Sequence, residues 1–417
     1  MKRILLGIAL AFAGLAALYA TGMISGEALA FGTFISAVSF LLYADRKHIS
    51  REGVMFMRRT KKGMEIIDKI ARLSPRFWNI IGYAGVGMAV IISIFIVSLL
   101  AETAYRIFTK QAGAGGAGII LPGPVSSPIS VPGIFIVPWW IWIIGIIAVV
   151  VPHEMMHGIL CRANKVRIKS VGWAFFLFVP AAFVEPDEKQ LSKSKTLTKL
   201  KVYAAGSFAN IAVAGMIAML LMSQSGAFTQ AGMAFPVIKD SPAFNSSLSG
   251  AIISIDGASV RSPEELKGIL DSKLPGDAVT VGLSEIRNNQ LTPLFSGFFP
   301  SNAGVIVDGR QKYVNVTLGE NNGTAYLGVF LGGSAPAYIT TLPDIAIGAY
   351  MLLFWIYTFS FGVGLFNLLP MKPLDGGPFF QEIISKYTPH AEKITKYVSI
   401  AMAMLVLFNL FGVYLVP

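Results

Sequence analysis

Seven stretches of the chain carry almost nothing but apolar side chains for long enough to cross a lipid bilayer: Leu5–Ala20, Ala28–Tyr43, Ile80–Leu100, Ile134–Cys161, Tyr203–Met222, Ile345–Leu369 and Val398–Val416. A spanning helix needs about 20 such residues, because each adds ~1.5 Å towards roughly 30 Å of hydrocarbon. The second window is short by that measure. The first follows Met1-Lys2-Arg3, a start that also suits a secretory signal. No convincing small-x-small cleavage site precedes Gly22, so it reads as a retained helix. The pattern predicts a polytopic α-helical membrane protein of about seven spans.

Polar positions give that bundle an orientation. The loop between the second and third windows holds Arg46, Lys47, Arg51, Arg58, Arg59, Lys61, Lys62, Lys69, Arg72 and Arg76, and the positive-inside rule puts it in the cytoplasm. Alternation then sends Gly113–Pro132 outside, Arg162–Lys201 inside, Ser223–Pro343 outside and Lys386–Lys396 inside. All three inside loops are basic, which alternation by itself does not guarantee. A composition of 54% hydrophobic and only 14% charged residues excludes an ordinary soluble domain. The net charge of +11 sits in short runs beside apolar segments, the mark of membrane loops, so the expected partner is the lipid bilayer and not nucleic acid. A prokaryotic cell membrane is the expected location.

From Gly226 to Ala337 the character changes. Period-2 segments such as Ala251–Ile255 and Val279–Leu283 stand among abundant Ser, Asn and Gly with no long apolar run, which predicts a small extracytoplasmic α+β domain. Its three glycosylation-type sequons begin at Asn245, Asn315 and Asn322, and the rest of the chain has none. The segment Val166–Glu185 is too punctuated by Gly and Pro for a span and reads as a hairpin or re-entrant element.

Chemistry enters in the fourth window, where Pro152-His153-Glu154-Met155-Met156-His157-Gly158 forms a His-Glu-x-x-His pattern. At about 3.6 residues per turn, positions i and i+4 share a helix face, so both imidazoles reach one ion at ~2.0–2.1 Å. Glu154 projects beside them, where it can take a proton from a water made acidic by the metal. The bland alternative, core polar residues of a bundle, is disfavoured because two His and a Glu inside an apolar helix are unfavourable unless paired or ligated. The single Cys161 rules out a multi-cysteine zinc site. His48 and His390 lie in polar stretches and read as solvated.

A catalytic zinc takes three protein ligands and leaves a position for water. The sixth window ends in Asn367-Leu368-Leu369-Pro370-Met371-Lys372-Pro373-Leu374-Asp375-Gly376-Gly377-Pro378, where three prolines and two glycines break the helix. Asp375 is either the third ligand or a turn aspartate at the cytoplasmic surface, and the residues alone leave both open.

Together, His153-Glu154-x-x-His157 and Asn367-x-x-Pro370-x-x-Pro373-x-Asp375-Gly376 resemble the two motifs of the site-2 protease family of intramembrane zinc metalloproteases. The resemblance covers roughly Ile134–Glu382. It implies that zinc is held by His153, His157 and Asp375, that Glu154 is the catalytic base, and that Asn367 holds the substrate strand or the oxyanion. An interhelical hydrogen bond is the alternative role for Asn367. Gly206-Ser207-Phe208-Ala209-Asn210 is similar to the family's Gly-x-x-x-Asn, with Ser207 where a proline is common, and its small residues read as close helix packing. Several family members insert a PDZ-like domain between the motif helices. The stretches Asp240–Ala243, Gly250–Gly257 and Ser262–Leu266 are similar to it, while Ala251 replaces its frequent Asp and Ser284–Gly309 reads as an insertion.

The expected organisation is therefore N-terminal helices and a basic loop over 1–133, a first catalytic half over 134–225, a PDZ-like external domain over 226–337 and a second catalytic half over 338–417. The expected activity is hydrolysis of peptide bonds within or beside transmembrane segments of membrane protein substrates, with water access from the cytoplasmic side. A catalytically silent membrane regulator binding partners through its PDZ-like domain is the competing class, and retention of Glu154 argues against it. A metal transporter would need polar residues along several spans, and these spans are too uniformly apolar.

Overall fold

The computed structural model describes every residue except 1, 54, 111–117, 124–133, 177–178, 292–303, 332–333 and 416–417. Most of the expected external stretch Gly113–Pro132 and the middle of the expected insertion Ser284–Gly309 lie outside the described residues. The chain begins with α1 (Lys2–Ala20), α2 (Gly26–Ala44), β1 (Ile49–Glu52), β2 (Met55–Thr60), α3 (Met64–Leu73) and α4 (Pro75–Phe108). It continues through β3 (Ile119–Gly123), β4 (Ile134–Pro138), α5 (Trp139–Ala163), β5 (Ile168–Phe176), β6 (Val179–Pro186), α6 (Glu188–Ser192) and α7 (Thr196–Ser223). Next come β7 (Phe228–Ala234), α8 (Pro242–Asn245), β8 (Ala251–Ile255), β9 (Ala258–Ser259), α9 (Pro263–Asp271), β10 (Ala278–Leu291) and β11 (Gly304–Thr317). The chain closes with β12 (Gly319–Asn321), β13 (Thr324–Tyr326), β14 (Ala335–Thr340), α10 (Asp344–Phe366), α11 (Gly376–Ile384) and α12 (Ala391–Leu415).

Six helices among the described residues are long and apolar enough to span a bilayer: α2, α4, α5, α7, α10 and most of α12. The protein is a polytopic helical membrane protein with β-sheet regions. The first apolar window lies on α1. The fourth does not begin as helix, because Ile134–Pro138 is a strand paired in parallel with β3. On α4, Ile91 is 70% exposed and Ile94 65%, surface that lipid covers without the penalty water would impose. Ser74 starts α4 by accepting the Phe77 N–H on its hydroxyl, with Pro75 in the first turn, where its missing N–H does no harm.

The chain divides into two compact units, one of 1–214 with 359–417, the other of 215–358. In the first, α3, α5, β5, α6 and α7 share a core of Ile67, Ile159, Leu160, Ile168, Leu191 and Val202. A second cluster joins α4 and α7 to Leu368 and Phe379. Polar contacts tie these elements as well: Lys199 pairs with Glu382 at 3.1 Å, and Asn409 on α12 donates to the Leu100 carbonyl at 3.0 Å. Interhelical hydrogen bonds of this kind matter where both alternatives, lipid and protein, are apolar.

The punctuated segment Val166–Glu185 is a hairpin, β5 against β6, and it belongs to a larger sheet. The basic loop supplies two further strands, and the order is β1-β2-β5-β6 with antiparallel pairing throughout. Gly172 is needed here, since a Cβ at that position would strike the Arg58 carbonyl and the Phe183 ring.

The second unit is built on strands pairing in the circuit β8-β10-β11-β14-β7-β8, with β9 against β8. Its core holds Ile255, Val260, Leu266 and Val281, each 0% exposed. Ser262 and Glu265 cap α9 reciprocally: the serine accepts the Glu265 N–H at 3.1 Å and the glutamate accepts the Arg261 N–H at 2.7 Å. The flanks of the stretch Ser284–Gly309 are the long strands β10 and β11, paired with register shifts after Ser284.

Candidate metal centre

Helix α5 runs through Pro152, and one turn separates His153 from His157, so both rings leave the same face. Asp375 reaches them from another part of the chain. After α10 the backbone breaks at Asn367, folds back, and closes when the Gly376 N–H donates to the Asn367 carbonyl at 2.7 Å. A Cβ at Gly376 would overlap the Leu368 and Leu369 backbone, so only glycine allows that closure. The broken segment is anchored by the Ser93 hydroxyl on the Leu368 carbonyl at 2.8 Å and by the Ser399 hydroxyl accepting the Lys372 N–H at 3.0 Å. Irregular backbone buried within the protein requires such satisfaction.

The three donor atoms form a nearly equilateral triangle. His153 Nε2 lies 3.1 Å from Asp375 Oδ2, His157 Nε2 lies 3.2 Å from the same oxygen, and the two nitrogens are 3.2 Å apart. A triangle with these edges has a circumradius of about 1.8 Å, shorter than a Zn–N or Zn–O bond of ~2.0–2.1 Å, so one ion can touch all three atoms. Tetrahedral coordination at that bond length has edges of about 3.3 Å, close to those observed. The three residues are also the group able to hold a metal among the described residues. The chemistry of the set, two imidazoles and one carboxylate, suits zinc.

Two features on the far side complete the cradle. Helix α7 faces the rings with Gly206, where a Cβ would sit 2.5 Å from His157 Nε2 and would also strike the His153 ring. One turn on, the Asn210 amide lies 3.0 Å from His153 Nδ1. His157 Nδ1 donates to the Val202 carbonyl at 2.7 Å. In a neutral ring that leaves Nε2 as a lone pair aimed at the triangle.

Glu154 is tied to the neighbouring sheet. Its Oε2 accepts the Val184 N–H of β6 at 2.9 Å, and it lies on the wall of a cavity of about 300 Å³ whose apolar lining includes Met155, Ile67, Trp173 and Phe183. The strand holding Glu154 is itself fixed. Glu185, next along β6, accepts the Ser170 hydroxyl at 2.6 Å and pairs with Arg59 at 3.4 Å. The Ser170 donation, with Arg59 beside it, holds the Glu185 carboxyl below the usual carboxylate range.

Of the residues singled out from sequence, His153, His157 and Asp375 are brought together, and Glu154 stands on the same helix. Asn367 is half-buried at the break after α10, and its side chain has no hydrogen-bond partner among the described residues. His48 pairs with Asp45 at 2.8 Å on the surface, and His390 is exposed. The sequence marked Gly206 and Asn210 only as close helix packing, whereas the structure sets both against the histidine rings. Their i, i+4 spacing marked one face of α7, but only the packing turns that face onto the histidines.

Comparison with known proteins agrees with this geometry. The chain is 24% identical over 341 residues to an uncharacterised protein of Methanocaldococcus jannaschii, a match covering 81% of this chain and 80% of that protein. The sequence profile of peptidase family M50 matches residues 141–408. That span contains every element of the histidine–aspartate triangle, and the chain belongs to peptidase family M50, a family of zinc metalloproteases.

Proposed function

We propose that this protein is an intramembrane endopeptidase that hydrolyses peptide bonds within or beside the transmembrane segments of other membrane proteins. One observation carries the reading: the histidines lie on α5 and the aspartate follows α10, both helices long and apolar enough to span a bilayer. A peptidase built on such helices meets peptide bonds at membrane depth. In this reading His153, His157 and Asp375 are the zinc ligands, Glu154 is the base, and the Asn367 amide orients the substrate strand or its carbonyl oxygen.

Bound zinc supplies Lewis acidity, polarising a peptide carbonyl and making a water molecule acidic enough to lose a proton near neutral pH. Glu154 takes that proton as the water oxygen bonds to the carbonyl carbon. It then returns the proton to the departing nitrogen as the C–N bond breaks, leaving a carboxylate and an amine. The Val184 N–H keeps its carboxylate in one orientation while it waits. A substrate helix hides its carbonyls in its own hydrogen bonds, so the segment must unwind locally before cleavage. The cavity beside Glu154 is suited to an apolar side chain next to the scissile bond, as transmembrane substrates supply.

The block Gly226–Ala337 is proposed as an extracytoplasmic PDZ-like domain that screens substrates. Its support is the positive-inside pattern of the loops together with the order of the Ser241-capped α8, the β8 strand with its Asp256-Gly257 turn, and the Ser262-capped α9. A prokaryotic cell membrane is the proposed location. The test is cleavage of a model transmembrane substrate by purified protein and by Glu154→Gln. The variant should keep about one zinc per chain and lose turnover, because the base is not a ligand. Retained turnover refutes the base; cleavage confined to soluble peptides refutes the intramembrane reading.

A further inference from the structure

We propose that Asn210 is a positioning residue of the metal site: its side-chain oxygen accepts a hydrogen bond from His153 Nδ1–H and so fixes the tautomer that leaves Nε2 free for the ion. The proposal rests on the reading of His153 as a ligand.

Asn210 is 0% exposed, fully inside the bundle, and its amide lies 3.0 Å from His153 Nδ1. Amide oxygen and nitrogen are nearly the same size, so this contact is satisfied with either atom towards the ring, and the hydrogen-bond network must decide between them. The atom turned away from the ring has no partner among the described residues, so burial does not discriminate. The tautomer does. A neutral imidazole has one N–H and one lone pair. If Nε2 gives its lone pair to the ion, Nδ1 carries the hydrogen, and its partner must accept.

With the amide nitrogen towards the ring, Nδ1 would have to accept. Nε2 would then carry a hydrogen pointing into the triangle, towards Asp375 Oδ2 at 3.1 Å, where the ion belongs. His157 shows the same logic with a group whose role is fixed. Its Nδ1 faces the Val202 backbone carbonyl at 2.7 Å, which can only accept. Both histidines therefore present lone pairs to one point only if Asn210 presents oxygen. Gly206, one turn earlier, keeps α7 close enough for the amide to reach. The face that sequence marked as close packing thus orients a ligand, a role that outer partners of metal-bound histidine commonly play.

The experiment measures zinc affinity by competition with a chromogenic chelator, and the visible d–d spectrum of the cobalt-substituted protein, for the full chain and three variants. Asn210→Asp, which can only accept, should bind zinc within about tenfold of the parent chain and keep a tetrahedral cobalt spectrum. Asn210→Leu, similar in size and unable to accept, should weaken zinc by about 10–100-fold. If Asn210→Asp weakens zinc as much as Asn210→Leu, the amide acts as a donor and the proposal is overturned. That outcome holds even where the leucine variant folds poorly. Parent-like affinity in Asn210→Leu also overturns it. His153→Ala separates the two levels of the argument: loss of zinc there leaves the ligand reading intact whatever Asn210 does, and retention of zinc removes both.

Discussion

Adding a single methyl group at Gly206 should empty the metal site without unfolding the helix that carries it. An ideal Cβ there lies 2.5 Å from His157 Nε2, and ordinary contact begins at 3.4 Å, so the ring and helix must separate by about 0.9 Å. The rings cannot yield by rotation, because the Val202 carbonyl at 2.7 Å and the Asn210 amide at 3.0 Å pin their other nitrogens. Coordination tolerates only about 0.5 Å of misplacement, and loss of an outer partner alone weakens metal by about 10–100-fold. Displacing the ligand itself should exceed that range, giving more than about 100-fold, or over ~2.7 kcal/mol. Helix propensity works the other way, since Ala is favoured over Gly in a helix interior by about 0.5–1 kcal/mol. Gly215 on the same helix is the control, because nothing lies within 4 Å of its Cβ position. The assay is zinc content across a chelator series, with far-UV circular dichroism recording the helices. Gly206→Ala should lose zinc and activity with its helix signal intact, while Gly215→Ala should match the parent chain. Parent-like zinc affinity in Gly206→Ala would refute the assignment of this face of α7 to the metal cradle.

Three further outcomes follow from the same reasoning. Asp375→Asn should lose both zinc and proteolysis, since the carboxylate charge is removed from the triangle; full zinc occupancy in that variant would return Asp375 to a turn residue. Deleting Gly226–Ala337 behind a flexible linker should spare zinc binding and change the ratio at which an intact substrate and an externally trimmed one are cleaved; an unchanged ratio would leave the block as a scaffold only. Asp256, held below the usual carboxylate range by Lys273 at 2.6 Å and by the Thr280 N–H at 2.8 Å, should contribute stability above the unfolded value of ~3.9 and lose it as pH falls through its lower folded value. Melting temperature followed through that acid window should drop less steeply for Asp256→Asn, and parallel curves would remove the pair from the acid response.

What the sequence determined by itself are the features whose physics is local. Apolar runs long enough for a bilayer predict α4, α5, α7, α10 and α12, because helix length and hydrocarbon thickness are both known in advance. The i, i+4 spacing of His153 and His157 already implies a shared face, and the prolines and glycines after Asn367 already imply a break. Short strands were harder to read. The basic loop gave no sign of β1 and β2, because strands this brief and rich in Arg are specified by their partners: Met55 pairs with Phe176 and Thr60 with Val171, far along the chain. Tertiary structure alone decided which side chains meet. Asp375 stands 218 residues from His157, and nothing in the residues alone said that the two would meet. The Val184 N–H on Glu154, the space left by Gly206 and the amide of Asn210 belong to the same class. Each is a contact between elements distant in sequence, and no pattern within one helix or strand determines which face of its neighbour it will meet.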